Sequence, residues 1–221
     1  MEKVTASAPS MISANRVLRN TYIMLSLTLL FSACTSGIAI VTNAGFTNIW
    51  LALIVLIGFP FVLQMLRNSP WSIVLTFAYT GFVGWYIGPL LNFYIKNFSN
   101  GSELIMMALG STGIIFLILS AFSLNPNRNF SSWGRFLMVG IIVAFIASLV
   151  NIFFIKMPAL YMAISVIFAL ISGGLIMYQT NMIVQGGERN YVIATVTLYV
   201  SLINIFLTIL QLLGMFAGNR N

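Results

Sequence analysis

The sequence predicts an all-α integral membrane protein with seven transmembrane helices. Of its 221 residues, 60% are hydrophobic and only 6% are charged, whereas charged residues make up about a quarter of a typical soluble domain. Seven apolar runs of about 17 to 26 residues are separated by short polar segments, and this length suits a hydrocarbon core of about 30 Å. We therefore expect the lipid bilayer as the main partner and no separate soluble domain.

Composition divides the chain into three parts. We expect a cytoplasmic N-terminal tail at residues 1–20, a transmembrane domain at residues 21–216 and a short C-terminal tail at residues 217–221. The apolar runs within the domain are, in order, Tyr22–Val41, Trp50–Leu66, Trp71–Ile95, Leu104–Leu124, Phe136–Ile155, Ala159–Tyr178 and Tyr191–Phe216.

The basic residues predict the orientation of the chain in the membrane. Seven of the ten Lys and Arg residues fall on the side of the N-terminus and three on the other side. The positive-inside rule therefore places the N-terminus in the cytoplasm and the C-terminus outside. Because the charges are scattered singly over the loops, without a basic cluster beside aromatic residues, they do not indicate a nucleic-acid partner.

Prolines and glycines inside the runs predict local features of the helices. Pro60 lies within the second run and Pro89 within the third, and proline bends a helix because it lacks the N–H donor. Gly84 and Gly88 have the spacing that lets a second helix approach closely. The first run carries a polar stripe whose hydroxyls are able to bond to their own helix backbone: Thr21, Thr28, Ser32 and Thr35.

The last run carries polar side chains at helical spacing. At about 100° per residue they fall within a narrow arc of one helix face. Unpaired polar groups cost several kcal/mol each in hydrocarbon, so this face must turn toward protein or trapped water. It either forms interhelical hydrogen bonds that hold the bundle together or lines a polar cavity or permeation path. The residues are Asn190, Thr197, Ser201, Asn204, Thr208 and Gln211.

The composition excludes most catalytic chemistry. The chain has no His and no Asp, its only acids are Glu2, Glu103 and Glu188, and Cys34 is its single cysteine. A Ser–His–Asp triad, a Cys–His pair, an aspartate dyad and a His-based metal site therefore cannot form within one chain. No phosphate-binding loop of the P-loop type is present. We expect neither an enzyme nor a cofactor.

Four blocks of sequence are specific when taken together. They are NRVLRNTYIMLSLTL at Asn15–Leu29, FAYTGFVGWYIGPLLN at Phe77–Asn92, VNIFF at Val150–Phe154 and GGERNYVIATVTLYVSLINIF at Gly186–Phe206. They resemble the Bax inhibitor-1 (TMBIM) family, in particular its bacterial YccA-like branch, and the likeness extends from Asn15 to Gly214. The resemblance implies a fold in which six helices surround a central seventh, in the bacterial inner membrane.

The resemblance also implies where a family site falls. Many members carry one aspartate at the end of the sixth helix and a second aspartate within the seventh helix. Together with an arginine at the end of the second helix, these aspartates are understood to form a pH latch for a calcium leak. The matching residues here are Gln179, Ser201 and Arg67. An amide and a hydroxyl exchange no proton near neutral pH. Arg67 is still able to donate hydrogen bonds to Gln179, but a proton would not switch such a contact. The nearest carboxylate, Glu188, is expected to form a solvated pair with Arg189 or another loop base.

Two functions remain open at this point. The bacterial branch is associated with a membrane-anchored AAA protease, which implies modulation of that protease in membrane-protein quality control or a stress response, with the tail at Met1–Asn20 as a candidate contact. The alternative is a calcium-type ion leak channel or small-solute pathway lined by the seventh helix, without the pH latch and with a cation as partner. The candidate residues for both are Arg67, Gln179, Glu188, Thr197, Ser201, Asn204, Thr208 and Gln211.

Overall fold

The computed structural model describes the backbone of residues 8–218 and the side chains of residues 14–218. Throughout this part of the chain every element is helical, as predicted. Helices α2 and α5 each contain a π-helical turn, at Ile54–Gly58 and Asn151–Ile155. The helices are α1 (Ala8–Val41), α2 (Ile49–Met65), α3 (Trp71–Asn97), α4 (Gly101–Ser123), α5 (Trp133–Ile155), α6 (Pro158–Val184) and α7 (Tyr191–Gly218).

Six of these helices, α1 and α3 to α7, are long and apolar enough to cross a membrane. Helix α2 is apolar but shorter. At a rise of 1.5 Å per residue it is about 26 Å long, which is less than the hydrocarbon core of about 30 Å. Six predicted spans are therefore confirmed by length and composition, and the crossing of α2 stays a prediction.

The helices extend beyond the predicted limits of the transmembrane domain. Helix α1 begins at Ala8, within the stretch predicted as an N-terminal tail, and its apolar part begins at Ala14. Helix α7 continues to Gly218. Hydropathy marks where the hydrocarbon ends, whereas a helix continues into the aqueous phase as long as its residues tolerate helical geometry. The predicted tail residues 1–7 and 219–221 lie outside the described residues.

The π-helical turn of α2 ends at Gly58, two residues before Pro60. In an α-helix the carbonyl oxygen of Leu56 would accept from the N–H of residue 60, which proline lacks. Here the hydroxyl of Tyr79 on α3 donates to that oxygen at 3.4 Å, and the ring of Tyr79 stacks on Phe59. The irregularity expected at Pro60 is thus a π-helical turn supported by α3, whereas α3 itself continues through Pro89 as one helix.

Helices α1 and α3 pack at the predicted pair of glycines. A Cβ atom added at Gly84 would collide with the carbonyl oxygen of Ser32 and with the hydroxyl of Thr35. A Cβ atom added at Gly88 would collide with Ala39. The close approach predicted from the Gly84–Gly88 spacing is confirmed, and both the backbone and the short side chains of α1 occupy the space.

Helix α7 is the most buried of the six long helices. In its most apolar 18-residue window 61% of the residues are buried, compared with 11% to 44% in the others. It packs against α1, α2, α3, α4 and α6. Its fully buried side chains, among them Leu198, Tyr199 and Leu210, belong to the main hydrophobic core. The helix that carries the predicted polar face therefore lies within the bundle.

Candidate functional site

Asn190 fixes the start of α7. Its Oδ1 accepts hydrogen bonds from the backbone N–H groups of Val192, at 2.9 Å, and Ile193, at 3.2 Å. These bonds satisfy two of the N–H groups that have no partner in the first turn of a helix. The Nδ2 of Asn190 also donates to the carbonyl oxygen of Arg67 at 2.6 Å. This member of the predicted polar face therefore caps α7 and ties it to the loop between α2 and α3.

Glu188 has a different partner from the one that the sequence suggested. Its Oε1 accepts a hydrogen bond from the backbone N–H of Asn190 at 2.7 Å. The Nε of Arg189 instead donates to the carbonyl oxygen of Gly186 at 3.4 Å. The expected Glu188–Arg189 pair is thus replaced by two contacts to the backbone, because the tight turn directs the two neighbouring side chains to different groups.

Three of the predicted side chains on α7 bond to α6. Each reaches across the helix interface, and the Thr208 hydroxyl also lies 2.9 Å from the carbonyl oxygen of Asn204 on its own helix. The bonds are Asn204 Nδ2 to Ser172 Oγ at 3.3 Å, Thr208 Oγ1 to the carbonyl oxygen of Ser165 at 3.0 Å, and Gln211 Nε2 to the Tyr161 hydroxyl at 3.2 Å. The polar face therefore joins α7 to α6 along about two helical turns.

The remaining two predicted side chains bond to their own helix. Thr197 donates to the carbonyl oxygen of Ile193 at 3.0 Å, and Ser201 donates to that of Thr197 at 2.8 Å. Ser201 is fully buried. Its hydroxyl is satisfied without a second helix or a ligand. The contacts of the whole face favour interhelical hydrogen bonding over the lining of an open path.

The residues that match the family latch are not joined by hydrogen bonds in the described part of the chain. The side chain of Arg67 is exposed, and its carbonyl oxygen rather than its guanidinium contacts the α6–α7 turn. Gln179 is 6% exposed, and its Nε2 has no hydrogen-bond partner. The hydrogen bond that Arg67 would be able to donate to Gln179 is therefore not formed.

A tyrosine that the sequence analysis did not single out connects three helices. The hydroxyl of Tyr199 lies 2.7 Å from Ser32 Oγ on α1 and donates to the carbonyl oxygen of Thr80 on α3 at 3.2 Å. One turn earlier, the hydroxyl of Thr195 lies 2.7 Å from the carbonyl oxygen of Tyr191 on its own helix and 3.3 Å from that of Thr21 on α1. These two residues lie on a different face of α7 from the predicted stripe. The signal in the sequence that would have identified them is the four-residue spacing of two polar side chains in an otherwise apolar helix.

Asn181 was also missed, although it is fully buried. Its Oδ1 accepts from the backbone N–H of Phe130 at 2.9 Å, and its Nδ2 donates to the carbonyl oxygen of Arg128 at 2.8 Å. One turn later the Nε2 of Gln185 donates to the carbonyl oxygens of Pro126, at 2.8 Å, and Arg128, at 3.0 Å. The end of α6 thus holds the α4–α5 loop through two amide side chains.

The cavities that lie beside these groups include two of contrasting polarity. A polar cleft of about 680 Å³ separates the α2–α3 loop from the α6–α7 turn, and Arg67, Glu188 and Arg189 line it. An apolar cavity of about 450 Å³ lies between α1, α3, α4 and α7, next to Ser32 and Gly84. Among the described residues there is no group of three or more His, Cys, Asp or Glu side chains that could hold a metal ion.

The helices and their contacts define a multi-pass α-helical membrane protein in which several buried polar side chains, among them Ser32, Tyr199 and Ser172, join helices to one another. Residues 14–218 match the family described as inhibitor of apoptosis-promoting Bax1. The chain belongs to this family, and the likeness seen in the four sequence blocks is confirmed.

Curated relatives agree with this assignment. The chain is 42% identical over 217 residues to the modulator of FtsH protease YccA of Escherichia coli strain K12, which covers 97% of this chain and 98% of the relative. It is equally similar to the inner membrane protein YccA of Escherichia coli O6:H1. An uncharacterized membrane protein of Vibrio cholerae is 37% identical over 97% of this chain and 96% of its own length. The inner-membrane name of one relative agrees with the six helices of this chain that are long and apolar enough to cross a membrane.

Proposed function

We propose that this protein modulates a membrane-anchored AAA protease in the bacterial inner membrane. The observation that carries the proposal is the 42% identity to a modulator of FtsH protease over 97% of this chain and 98% of that relative. With such coverage, whichever segment of the relative performs the modulation has a counterpart here. The protein would act by binding, since its few acids and lack of histidine leave little means for catalysis.

We further propose that α7 is the central helix of the bundle. The proposal is supported by its burial, which is the highest among the long helices, and by its contacts with five other helices. It is also supported by hydrogen bonds that leave α7 in different directions. Tyr199 bonds toward α1 and α3, whereas Asn204 and Thr208 bond toward α6. A helix with polar partners on several sides is stable in a membrane only where protein surrounds it.

The orientation that we propose has the N-terminus in the cytoplasm and the C-terminus outside. Seven of the ten basic residues favour it. Further support comes from the Asn190–Arg67 and Asn181–Arg128 hydrogen bonds, which join the α6–α7 turn to the α2–α3 loop and the end of α6 to the α4–α5 loop. These three arginine-bearing connections would then share the cytoplasmic side.

Purification from native membranes tests the proposed partner. The full chain would carry an affinity tag and be extracted in a mild detergent after brief crosslinking, and co-purifying proteins would be identified by mass spectrometry. The matched control is an unrelated helical membrane protein with the same tag and expression level. We expect a membrane-anchored AAA protease to be enriched over the control. Equal recovery of the protease with both proteins would contradict the proposal.

A further inference from the structure

The apolar cavity between α1, α3, α4 and α7 opens at the side of the bundle. Its floor comes from α3 and α7, where Ile87, Leu202 and Phe206 are each 5% exposed. Its rim comes from α1 and α4, where the lining residues Ala33 and Gly113 are exposed. Both rim residues lie within helices that are long and apolar enough to cross a membrane. The cavity therefore faces the hydrocarbon of the bilayer.

The space between α1 and α4 is bounded by an aromatic contact at one end and by two glycines further along. Both helices pack against α3, α6 and α7. They meet where the ring of Tyr22 lies edge-on to Phe116, with 5.8 Å between the ring centroids. Gly37 on α1 and Gly113 on α4 also line the cavity, and a Cβ atom added at either would meet no atom within 4 Å. The two glycines thus leave open space between the helices.

The dimensions of the cavity match a single hydrocarbon chain. On α1 the lining runs from Leu29 to Ile40, which is about 17 Å at the helical rise of 1.5 Å per residue. One leaflet of the hydrocarbon core has a thickness of about 15 Å. A volume of about 450 Å³ then gives a mean cross-section of about 26 Å², which suits one chain in van der Waals contact with its walls. A helix of this length with its side chains fills about 1,300 Å³ and does not fit.

The lining is uncharged and mostly apolar, and three of its sixteen residues carry a hydroxyl. The hydroxyl of Ser32 is bonded to that of Tyr199, and the hydroxyl of Thr112 donates to the carbonyl oxygen of Ala108. Ser36 is 6% exposed, and its hydroxyl has no partner within the described part of the chain. Because buried hydroxyls are normally paired, the cavity suits an apolar molecule that offers one hydrogen-bond acceptor.

We propose that this cavity binds one acyl chain of a membrane phospholipid. The chain matches the apolar walls, and its ester carbonyl oxygen accepts a hydrogen bond from Ser36. Ser36 lies closer along α1 to the Ile40 end of the lining than to the Leu29 end. The carbonyl group therefore lies toward Ile40, and the chain extends toward Phe116. The narrow cross-section favours a lipid over a protein helix, and the bound chain keeps α1 and α4 at a fixed distance.

A photoreactive phospholipid tests the site. The full chain would be reconstituted in liposomes that contain a small proportion of phosphatidylglycerol with a diazirine group midway along one acyl chain. Labelled peptides would be located by mass spectrometry after illumination. We expect labelling to concentrate on residues 29–40 and 109–116 and to exceed that of α5, which is the least buried of the six long helices and reports ordinary lipid contact. Labelling no stronger than that of α5 would overturn the proposal.

Two glycines of α4 provide a matched pair of variants. Gly113→Leu places a side chain in the cavity, whereas Gly110→Leu adds one at an exposed position that does not line it. A Cβ atom at either position meets no atom within 4 Å. We expect labelling of residues 29–40 to fall about fivefold or more in Gly113→Leu, because the cavity is filled, and to stay unchanged in Gly110→Leu. Gly37→Leu fills the cavity from α1 and replaces Gly113→Leu if that variant does not fold.

Equal labelling in the filled variant and in Gly110→Leu would overturn the proposal. So would a wild-type dimer that Gly113→Leu converts into a monomer while lipid labelling is unchanged, since a second copy would then cover the cavity. Ser36→Ala tests the ester contact, and we expect it to lower labelling about threefold. Its control is Ser26→Ala, since the exposed Ser26 hydroxyl donates to the carbonyl oxygen of Tyr22 on the same helix. Equal labelling in these two variants would overturn the assignment of a phospholipid ester.

Discussion

The hydroxyl of Tyr199 accepts a hydrogen bond from Ser32 at 2.7 Å while it donates to the carbonyl oxygen of Thr80 at 3.2 Å. The tyrosine side chain is fully buried. A single hydroxyl therefore joins α7 to both α1 and α3, at the level where Gly84 lets the backbones of α1 and α3 approach most closely. The glycine contact and the tyrosine bonds together fix the position of α7 beside this pair of helices.

Removing this hydroxyl tests its contribution to stability. We expect Tyr199→Phe to lower the free energy of unfolding by about 1–2 kcal/mol, because two buried hydrogen bonds are lost and Ser32 is left without a partner. The measurement is the thermal midpoint in detergent. Tyr86→Phe on α3 is the control, since the Tyr86 hydroxyl makes no hydrogen bond in the part of the chain described. Equal midpoints for the two variants would contradict this role of Tyr199.

Glycine substitutions distinguish packing from helix propensity. Gly84→Ala places a methyl group against the backbone of α1 at Ser32, so we expect a loss of several degrees in the thermal midpoint. Gly113→Ala on α4 meets no atom within 4 Å. It should be neutral or stabilising, because alanine favours a helix by about 1 kcal/mol over glycine. A Gly84→Ala variant as stable as Gly113→Ala would show that α1 and α3 are not in close contact.

Limited proteolysis tests whether Asn181 fixes the α4–α5 loop. We expect Asn181→Ala to speed tryptic cleavage after Arg128, since the backbone of Phe130 and Arg128 loses two partly buried hydrogen bonds to the amide. The cleavage rate is measured by mass spectrometry of the fragments. Asn127→Ala, an exposed change within the same loop, serves as the control. Unchanged cleavage in Asn181→Ala would mean that Gln185 alone holds the loop.

Reporter fusions test the orientation and the crossing of α2 together. A reporter after Asn221 should behave as periplasmic, and one within the loop at Asn125–Arg135 as cytoplasmic, because the basic residues favour the cytoplasmic side. Helix α2 is the short one. If it does not cross, six spans remain, and both termini lie on the same side. A cytoplasmic reporter after Asn221 would therefore contradict the seven-span arrangement.

Periodic features of the fold could be predicted from the sequence. The polar face of α7 and the Gly84–Gly88 contact follow from helical spacing and from the cost of unpaired polar groups in lipid. Asn204 and Thr208 accordingly bond to α6. Spacing identifies which side of a helix faces protein. It does not identify the partner helix, because that depends on how the whole bundle packs.

Contacts between distant parts of the chain could not be predicted in this way. Tyr199 and Ser32 are 167 residues apart, and no local pattern marks the pair. Asn181 was overlooked because its partners are backbone groups of a loop, which any sequence provides. The expected pair of Glu188 with Arg189 failed for the opposite reason. The side chains of adjacent residues in a turn point to different groups, so Glu188 and Arg189 do not contact each other although they are neighbours in the sequence.

The rate at which a membrane-anchored AAA protease degrades a membrane substrate tests the central claim most directly. The protease and substrate would be reconstituted in liposomes with increasing amounts of the full chain, and an unrelated helical membrane protein would replace it as the control. We predict that the degradation rate changes with the molar ratio of this protein to the protease and then saturates. A rate that matches the control at every ratio would contradict its function as a protease modulator.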